Sequence, residues 1–390
     1  MNQKQKSILY QVVFFFLCLA VGAFIGALLA RSDKSAIQLL PALIELLIFI
    51  PALIVLQIII HEAGHMLAAL ASGWEFLSFR IFKFTISRKD GKFHFSVFHI
   101  PGTAGQCLMM PPERPLSPSQ LSFYNMGGVL LNLSTAVLAL LLLLIPAINQ
   151  SGTGIRLLIV FMGAGILMAV SNGIPFVAGG IPNDGMNNRM LKRDPLSRQI
   201  FIDVMRINGF IQKGIRLKDI PSAYFHAEDQ LDYANTIQVM ACFYQLARVL
   251  DQLDFEKANE RVDEMVRYKK DMVYLYQQEL TCEEIFLRLI RQTPKQDIAR
   301  LLTTDMQKYI RLNQPYRPSA LRLAYTLAKL YEQDEAKAEQ LYQQFSRLCT
   351  RYHLLGEIEG EKALSNYSAN TYTQRCIPER LDESQNCIKR

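Results

Sequence analysis

Long stretches without charge dominate the first half of this 390-residue chain and constrain its fold more than any other feature. Residues 7–30 contain no charged residue, and about 20 apolar residues suffice to cross the hydrocarbon core of a bilayer as a helix. A second apolar stretch covers residues 36–71, and two further spans are predicted at 121–147 and 154–178. The pattern therefore predicts about four transmembrane helices.

Two of these spans have features that need interpretation. The first could be a cleaved signal peptide, because Ala27–Ala30 resembles a cleavage site. The hydrophobic region of a signal peptide is usually about 7–15 residues long, however, so a retained signal-anchor helix is favoured. In the second span, Pro41 and Pro51 argue against one uniform straight helix, because proline lacks the backbone N–H and clashes with the preceding turn.

Charge is distributed unevenly along the chain. The net charge of +7 lies within residues 1–200, and residues 201–390 are charge-rich but balanced. The positive residues of the first half flank the apolar spans, where they orient a membrane protein. The N-terminus, the segment 72–120 and the residues after the fourth span are basic and are predicted to lie inside. We therefore expect a multi-pass membrane protein with both termini in the cytosol. The membrane is expected to be that of a bacterial cell.

The same composition excludes several other classes. A disordered chain and a collagen-like chain do not have this apolar content. The seven cysteines include no CxxC pair and are interpreted as reduced thiols rather than a disulfide framework. Nucleotide-binding loops and aromatic-basic stripes are missing from the sequence, so no nucleic-acid partner is expected.

A membrane-associated β-hairpin is predicted within residues 76–110, between the second and third spans. Apolar and polar residues alternate on both sides of Asp90-Gly91, a dipeptide typical of two-residue hairpin turns. In the predicted register, one face of the hairpin is apolar and the other face is polar. Its facing pairs are Phe84 with Val97, Thr85 with Ser96, Ile86 with Phe95, and Ser87 with His94. The apolar face is expected to enter the edge of the bilayer or to cover the spans.

The motif that carries chemistry is HExxH, at His61-Glu62-Ala63-Gly64-His65. On a helix, residues four apart lie on one face, so His61 and His65 can bind one Zn²⁺. Glu62 is then placed to act as the general base that activates water. Ionisable residues at the end of an apolar span are costly, which favours a functional interpretation over a chance match.

A third metal ligand is required, and the sequence offers several candidates. Asp184 is the best by position, because it follows the fourth span in a tract rich in glycine and proline that can bend back towards the second. An interfacial Asx-turn is the alternative reading of Asp184. The other candidates are Glu113, His94, His99, Glu75 and Glu45. The two histidines among them are interpreted as hairpin surface residues.

These residues resemble the site-2 protease family of intramembrane metalloproteases. HEAGH at 61–65 matches the zinc-binding helix of that family, and residues 172–185 resemble its NxxPxxxxDG segment with an insertion at 177–181. Residues 127–132 resemble the GPxxN start of its third core span, and residues 104–111 resemble its GGYVKMPG strand. The resemblance covers about residues 40–190.

The resemblance implies a role for each matched residue. His61, His65 and Asp184 would bind Zn²⁺, with Glu62 as the catalytic residue. Asn172 and Pro175 would lie at the substrate, and Asn132 would do likewise, although an asparagine in an apolar helix more often makes an interhelical hydrogen bond. The strand at 103–109 would pair with an extended substrate by strand addition. Its substrate-binding residues would be Gly105, Gln106 and Cys107.

Residues 196–366 are predicted to form an all-α, solenoid-like soluble domain, followed by a polar tail at 367–390. Apolar residues recur there at helical spacing, and a weak internal echo resembles tetratricopeptide-like helix pairs. Such domains bind peptide segments or cytosolic proteins. An ordinary helical bundle is the alternative.

Two classes of function remain at this point. The first is a zinc endopeptidase that cleaves a membrane protein or membrane peptide near the cytosolic face of the bilayer. The second is a non-catalytic membrane scaffold that displays the helical domain and keeps a relic metal site. The presence of Glu62 beside a full ligand set favours the enzyme.

Overall fold

The computed structural model describes residues 36–89, 91–98, 103–146, 152–178, 180–226 and 231–376. The predicted first span at 7–30 and the candidate ligand His99 lie outside these residues. The described residues form two compact units. The first contains those up to Gln212, with Pro221–Cys242 and Met272–Leu275. The second contains Lys213–Ile220, Phe243–Asp271 and those from Tyr276 onwards.

Three helices in the described part of the chain are long and apolar enough to cross a membrane. They are α1 (Ala36–Ala71, apolar from Ile44), α2 (Pro118–Leu143) and α3 (Gly152–Gly173). They correspond to the second, third and fourth predicted spans.

Helix α1 runs unbroken through Pro41 and Pro51, so the two prolines do not divide the second span. Because unpaired backbone groups are costly in an apolar environment, a long apolar segment keeps its remaining helical hydrogen bonds around a proline. Helix α3 ends at Gly173, before the predicted boundary at 178. Pro175 disfavours helical backbone at the residue before it.

A four-stranded antiparallel sheet lies between α1 and α2, where the sequence predicted a hairpin. Its strands are β1 (Glu75–Ile81), β2 (Phe84–Lys89), β3 (Lys92–Val97) and β4 (Gly105–Met110), in the order β3-β2-β1-β4. The predicted register of the β2–β3 hairpin is confirmed at all four facing pairs. Strand β4 pairs with β1 on one side and is an edge of this sheet.

The apolar face of the β2–β3 hairpin is exposed. Phe93 and Phe95 are 71% and 66% accessible, and Phe84 and Val97 are each about half exposed. A face of this kind on a monomer marks a site of contact with another molecule or a membrane. Its entry into the bilayer stays a prediction.

Two further helices of the first unit follow α3. A short hairpin of β5 (Val177–Ala178) and β6 (Ile181–Pro182) leads into α4 (Asp184–Arg193), and α5 (Pro195–Gln212) follows. The first unit extends beyond the predicted domain boundary at 195, because α5 packs on the sheet. Gln212 donates to the Leu77 carbonyl oxygen at 2.9 Å, and Gly209 lies against the Met110 side chain.

The rest of the described chain is helical. Helix α6 (Thr236–Asp251) is followed by α7 (Phe255–Arg267), α8 (Tyr274–Ile290), α9 (Lys295–Leu301), α10 (Thr304–Asn313), α11 (Pro318–Thr326), α12 (Glu335–Cys349) and α13 (Leu355–Cys376). A π-helical turn at Leu327–Glu332 extends α11, and 3₁₀ turns lie at Leu217–Asp219 and Ser222–Tyr224.

Helix α13 runs past residue 366, so the tail predicted at 367–390 does not begin there. Two of its polar residues, Ser368 and Thr371, are buried: Ser368 is 0% exposed and its hydroxyl lies 3.0 Å from that of Thr326.

Three turns between helices share one geometry. Leu253, Gln292 and Gln333 each have a positive φ, near 60°, and follow one another at intervals of about 40 residues. After two of them an aspartate caps the next helix, since Asp254 and Asp334 accept from the backbone N–H groups of Lys257 and Lys337. These turns explain the weak internal echo. A tetratricopeptide-like solenoid stays a prediction.

Candidate metal centre

Three side chains from two distant parts of the first unit converge on one point. His61 Nε2 lies 3.0 Å from Asp184 Oδ2, and His65 Nε2 lies 3.3 Å from the same oxygen. The two Nε2 atoms are 3.2 Å apart. This is the one cluster of three or more potential metal ligands among the described residues. The structure thus brings together the two histidines of HExxH and the aspartate that the sequence ranked first.

The outer nitrogens of both rings determine which atoms face the centre. His65 Nδ1 lies 2.8 Å from the Tyr124 carbonyl oxygen, which can only accept, so Nδ1 carries the hydrogen. His61 Nδ1 lies 2.7 Å from Asn132 Oδ1. In the neutral imidazoles, both Nε2 atoms therefore present a lone pair to the carboxylate of Asp184.

This donor set fits a zinc ion. Lone-pair atoms approach so closely only when positive charge lies between them, from protons or from a metal. Ligands about 2.0–2.1 Å from a tetrahedral zinc stand about 3.3 Å apart, which is close to the three separations here. Two imidazoles and one carboxylate leave a fourth position open, as in catalytic rather than structural zinc sites.

The orientation of the Asn132 amide is fixed by a buried chain of hydrogen bonds. Gln57 Nε2 donates to the Phe161 carbonyl oxygen at 3.1 Å, so Gln57 Oε1 is free to accept from Asn132 Nδ2 at 2.7 Å. Asn132 Nδ2 also donates to the Gln57 carbonyl oxygen at 3.0 Å. Asn132 Oδ1 is then the acceptor for His61. This series of hydrogen bonds links α3, α1 and α2 to the imidazole ring of His61.

Asn132 therefore positions His61, and its buried side chain has no free amide group to offer a substrate. The interhelical role that the sequence favoured is the one the structure contains. Gln57 was not singled out from the sequence. Its signal is its place as the one polar residue between Glu45 and His61 in an apolar span, one turn before His61.

Replacing Asn132 by leucine is expected to weaken zinc binding by about 10–100-fold, because loss of the partner frees the His61 ring to rotate or change tautomer. The measurement is competition between the purified protein and a zinc chelator of known affinity. Leu133→Ala, at an exposed neighbouring position, serves as the control and should bind zinc like the parent. Equal affinity in the Asn132 variant would show that the hydrogen-bond chain does not support the site.

Glycine residues allow α1 and α2 to pack closely at the centre. A Cβ atom on Gly64 would lie 2.3 Å from the Gly127 carbonyl oxygen. One on Gly128 would lie 2.6 Å from His61 Cε1 and 2.7 Å from His65 Nε2. Helix α2 can therefore approach the histidines of α1 only with glycine at these positions.

Asn183 fixes the loop that presents Asp184. Its Oδ1 accepts from the backbone N–H groups of Met186 and Phe176, at 2.9 and 3.0 Å. Its Nδ2 donates to the carbonyl oxygens of Ser171 and Ile174, at 2.8 and 2.7 Å. Asn183 thereby caps α4 and fastens it to the end of α3. This residue was not predicted as part of the site, although asparagine before a helix is a sequence signal for a cap.

Glu62 lies beside the start of the edge strand. A Cβ atom on Gly105 would come within 2.6 Å of Glu62 Cγ and Oε1, so glycine leaves room for the carboxylate. Gln106 is exposed on the same strand, whereas the Cys107 side chain is buried. Burial raises the pKa of the Cys107 thiol, which keeps it neutral and unreactive.

None of the remaining candidates in the described part of the chain belongs to the ligand cluster. Asn172 Nδ2 donates to the Met168 carbonyl oxygen at 3.0 Å, within its own helix. Pro175 follows α3 in the turn before β5. Glu45 accepts from Arg156 Nε at 3.1 Å and lies about 24 Å before His61 along α1, too far to reach the centre. None of the alternative ligands that lie in described residues, Glu45, Glu75, His94 or Glu113, joins the cluster.

Asp184 is held as a carboxylate. Burial raises the pKa of its carboxyl group, but hydrogen bonds from His61 and His65, when these imidazoles are protonated and no metal lies between them, outweigh this effect and place the pKa at about 2. An ionised oxygen at physiological pH is the form that binds a divalent metal.

The helices and this site define a class: an integral membrane protein with a buried two-histidine, one-carboxylate centre. The sequence model of peptidase family M50 matches residues 48–360, which is most of the chain. The chain therefore belongs to peptidase family M50. The match extends beyond the resemblance found at 40–190 into the second unit. Comparisons with curated proteins and with solved structures returned no match.

Proposed function

We propose that this protein is a zinc-dependent intramembrane endopeptidase, with His61, His65 and Asp184 as the metal ligands. The observation that carries the proposal is the triangle of three donor atoms 3.0–3.3 Å apart, two of them in the last three turns of the apolar helix α1. Membership of a peptidase family supports hydrolysis of peptide bonds, and the HExxH motif supports zinc.

The residues around the centre would divide the reaction between them. When bound, zinc would act as a Lewis acid for water and for the scissile carbonyl group. Glu62 would accept the proton of the attacking water and pass it to the departing amine nitrogen. Gly105 leaves the space in which Glu62 can move between these two partners. Asn132 and the Tyr124 carbonyl oxygen would hold the imidazoles in their metal-binding tautomers.

The substrate would bind along β4. In the described part of the chain this strand is an edge of the sheet, and it begins beside Glu62, so an extended peptide could continue the sheet and present its backbone to the centre. A peptide bond within a transmembrane helix is shielded by its own hydrogen bonds and must be straightened before attack. Gly105, Gln106 and Cys107 would contribute backbone groups, and Asn172 and Pro175 stay proposed substrate contacts.

The membrane setting follows from the charge pattern. The basic connectors would place the centre near the cytosolic face, with both termini in the cytosol of a bacterial cell. The helical second unit would bind a cytosolic protein or peptide that regulates cleavage. The complete donor set and the placement of Glu62 support an enzyme over a scaffold with a relic site.

The proposal predicts about one zinc per chain and activity that depends on it. The purified full-length protein is reconstituted with fluorescently labelled single-span peptides, and zinc content is measured by mass spectrometry. A chelator should abolish cleavage, and added zinc should restore it, whereas magnesium should not, because the nitrogen-rich site suits zinc. A protein without stoichiometric zinc, or cleavage unaffected by chelation, would contradict the proposal.

A further inference from the structure

Arg80 is a buried cation that forms no ion pair with a carboxylate in the described part of the chain. It lies on β1, its side chain is 3% exposed, and no salt bridge to it occurs among the described residues. Burying an unpaired charge is strongly unfavourable, so other interactions of this arginine must offset that cost. The carboxylate of Glu62 lies within electrostatic range of the guanidinium but accepts no hydrogen bond from it.

The guanidinium instead joins two segments of backbone. Arg80 Nη1 donates to the Phe82 carbonyl oxygen at 2.8 Å and lies 3.5 Å from the Thr103 carbonyl oxygen. Arg80 Nη2 donates to Thr103 Oγ1 at 2.5 Å. One planar fork therefore connects the turn after β1 to the residue that leads into β4.

The turn held by this fork is strained. Phe82 has a φ of 50°, in the left-handed region that bulky residues rarely adopt. Strained backbone of this kind persists only when its surroundings fix it, and it occurs often at functional sites. The Phe82 N–H group donates to the Ala104 carbonyl oxygen at 2.7 Å. The strained turn is thus fastened directly to the beginning of β4.

The fastened segment is where Glu62 meets the sheet. Ile81 pairs with Gly105, and Gly105 is the residue that would clash with Glu62 if it carried a side chain. Any shift of Thr103 and Ala104 would therefore move the start of the edge strand relative to Glu62.

We propose that Arg80 is a positioning residue that fixes the register and height of β4 for an incoming substrate strand. It acts through Phe82 and Thr103 rather than by touching the substrate. The inference rests on the proposed function, because β4 is taken as the strand to which the substrate adds. The placement of β4 is thus assigned to the guanidinium group of Arg80. Lysine could not replace it, because lysine lacks a planar fork of donors.

The first test measures the strand itself and requires no activity. Hydrogen exchange of the amides at 104–108 is compared in the full-length parent, Arg80→Lys and Thr103→Val. Loss of hydrogen bonds to a charged group is expected to accelerate exchange about tenfold or more in both variants. Arg114→Lys is the control, because Arg114 also donates to a backbone carbonyl oxygen, that of Ser72, but away from β4. Unchanged exchange at 104–108 in both variants overturns the proposal.

The second test uses cleavage kinetics. Arg80→Lys is expected to raise KM about tenfold and to change kcat less than threefold, because the groups that perform the chemistry are untouched. In the double variant, Thr103→Val should add nothing to Arg80→Lys, since both remove the same fork. Additive effects, or a fall in kcat alone, would contradict a positioning role. If the parent cleaves no peptide, the proposed function fails, while the exchange result still decides whether Arg80 holds β4.

Discussion

Glu62→Gln is expected to lower kcat/KM by about 10³-fold while leaving the zinc content unchanged. A positioned general base contributes about 10²–10⁴ to a rate, and glutamine cannot accept the proton of water. A 10³-fold loss corresponds to about 4 kcal/mol of transition-state stabilisation. Zinc should remain because Glu62 is not one of the three converging ligands, and because glutamine has nearly the same shape beside Gly105.

The measurement combines peptide cleavage with metal analysis of the same preparation. Glu113→Gln is the matched control, because Glu113 is an exposed carboxylate outside the centre and its variant should cleave within twofold of the parent. A Glu62→Gln variant that cleaves as fast as the parent would refute the proposed chemistry. A variant that loses both zinc and activity would instead assign Glu62 to metal binding.

Gly128→Ala is expected to weaken zinc binding by at least about 100-fold and to abolish cleavage with it. The added methyl group would lie 2.6 Å from His61 Cε1 and 2.7 Å from His65 Nε2, closer than real Cβ contacts allow. The rings cannot turn aside without breaking the hydrogen bonds from their Nδ1 atoms. Either α1 and α2 separate or the ligands leave their positions.

Chelator competition measures the affinity, and thermal unfolding with and without zinc separates loss of the site from loss of the fold. Gly152→Ala is the control, because its Cβ atom would meet only the flexible end of Arg156, at 3.4 Å. Parental zinc affinity in Gly128→Ala would show that the helices do not approach as closely as described.

Local sequence signals were sufficient for the three described apolar helices, for the β2–β3 hairpin and for the three side chains that converge. The apolar runs located α1, α2 and α3, because a bilayer requires long uncharged helices. Alternation around Asp90-Gly91 predicted the hairpin register, because strand pairing repeats every two residues and the turn fixes its start. HExxH and the Gly/Pro-rich tract led to His61, His65 and Asp184.

The residues that support the ligands were harder to predict, because their roles depend on contacts between distant segments. Gln57 matters through Phe161 and Asn132, on two other helices. Arg80 matters through Thr103, and no spacing in the sequence indicates that contact. The end of α13 was misjudged for the same reason: Ser368 looks solvated until its buried partner, Thr326, is known.

The ligands of the centre are far apart in the chain. His61 and Asp184 are 123 residues apart, and α2, the sheet and α3 lie between them. The donor set cannot assemble until the last of these spans has entered the bilayer and Asn183 has capped α4. A nascent or partly inserted chain would thus be inactive. The protein could cleave a substrate only after all of its spans have been inserted. Metal occupancy would then serve as a built-in report of correct membrane insertion.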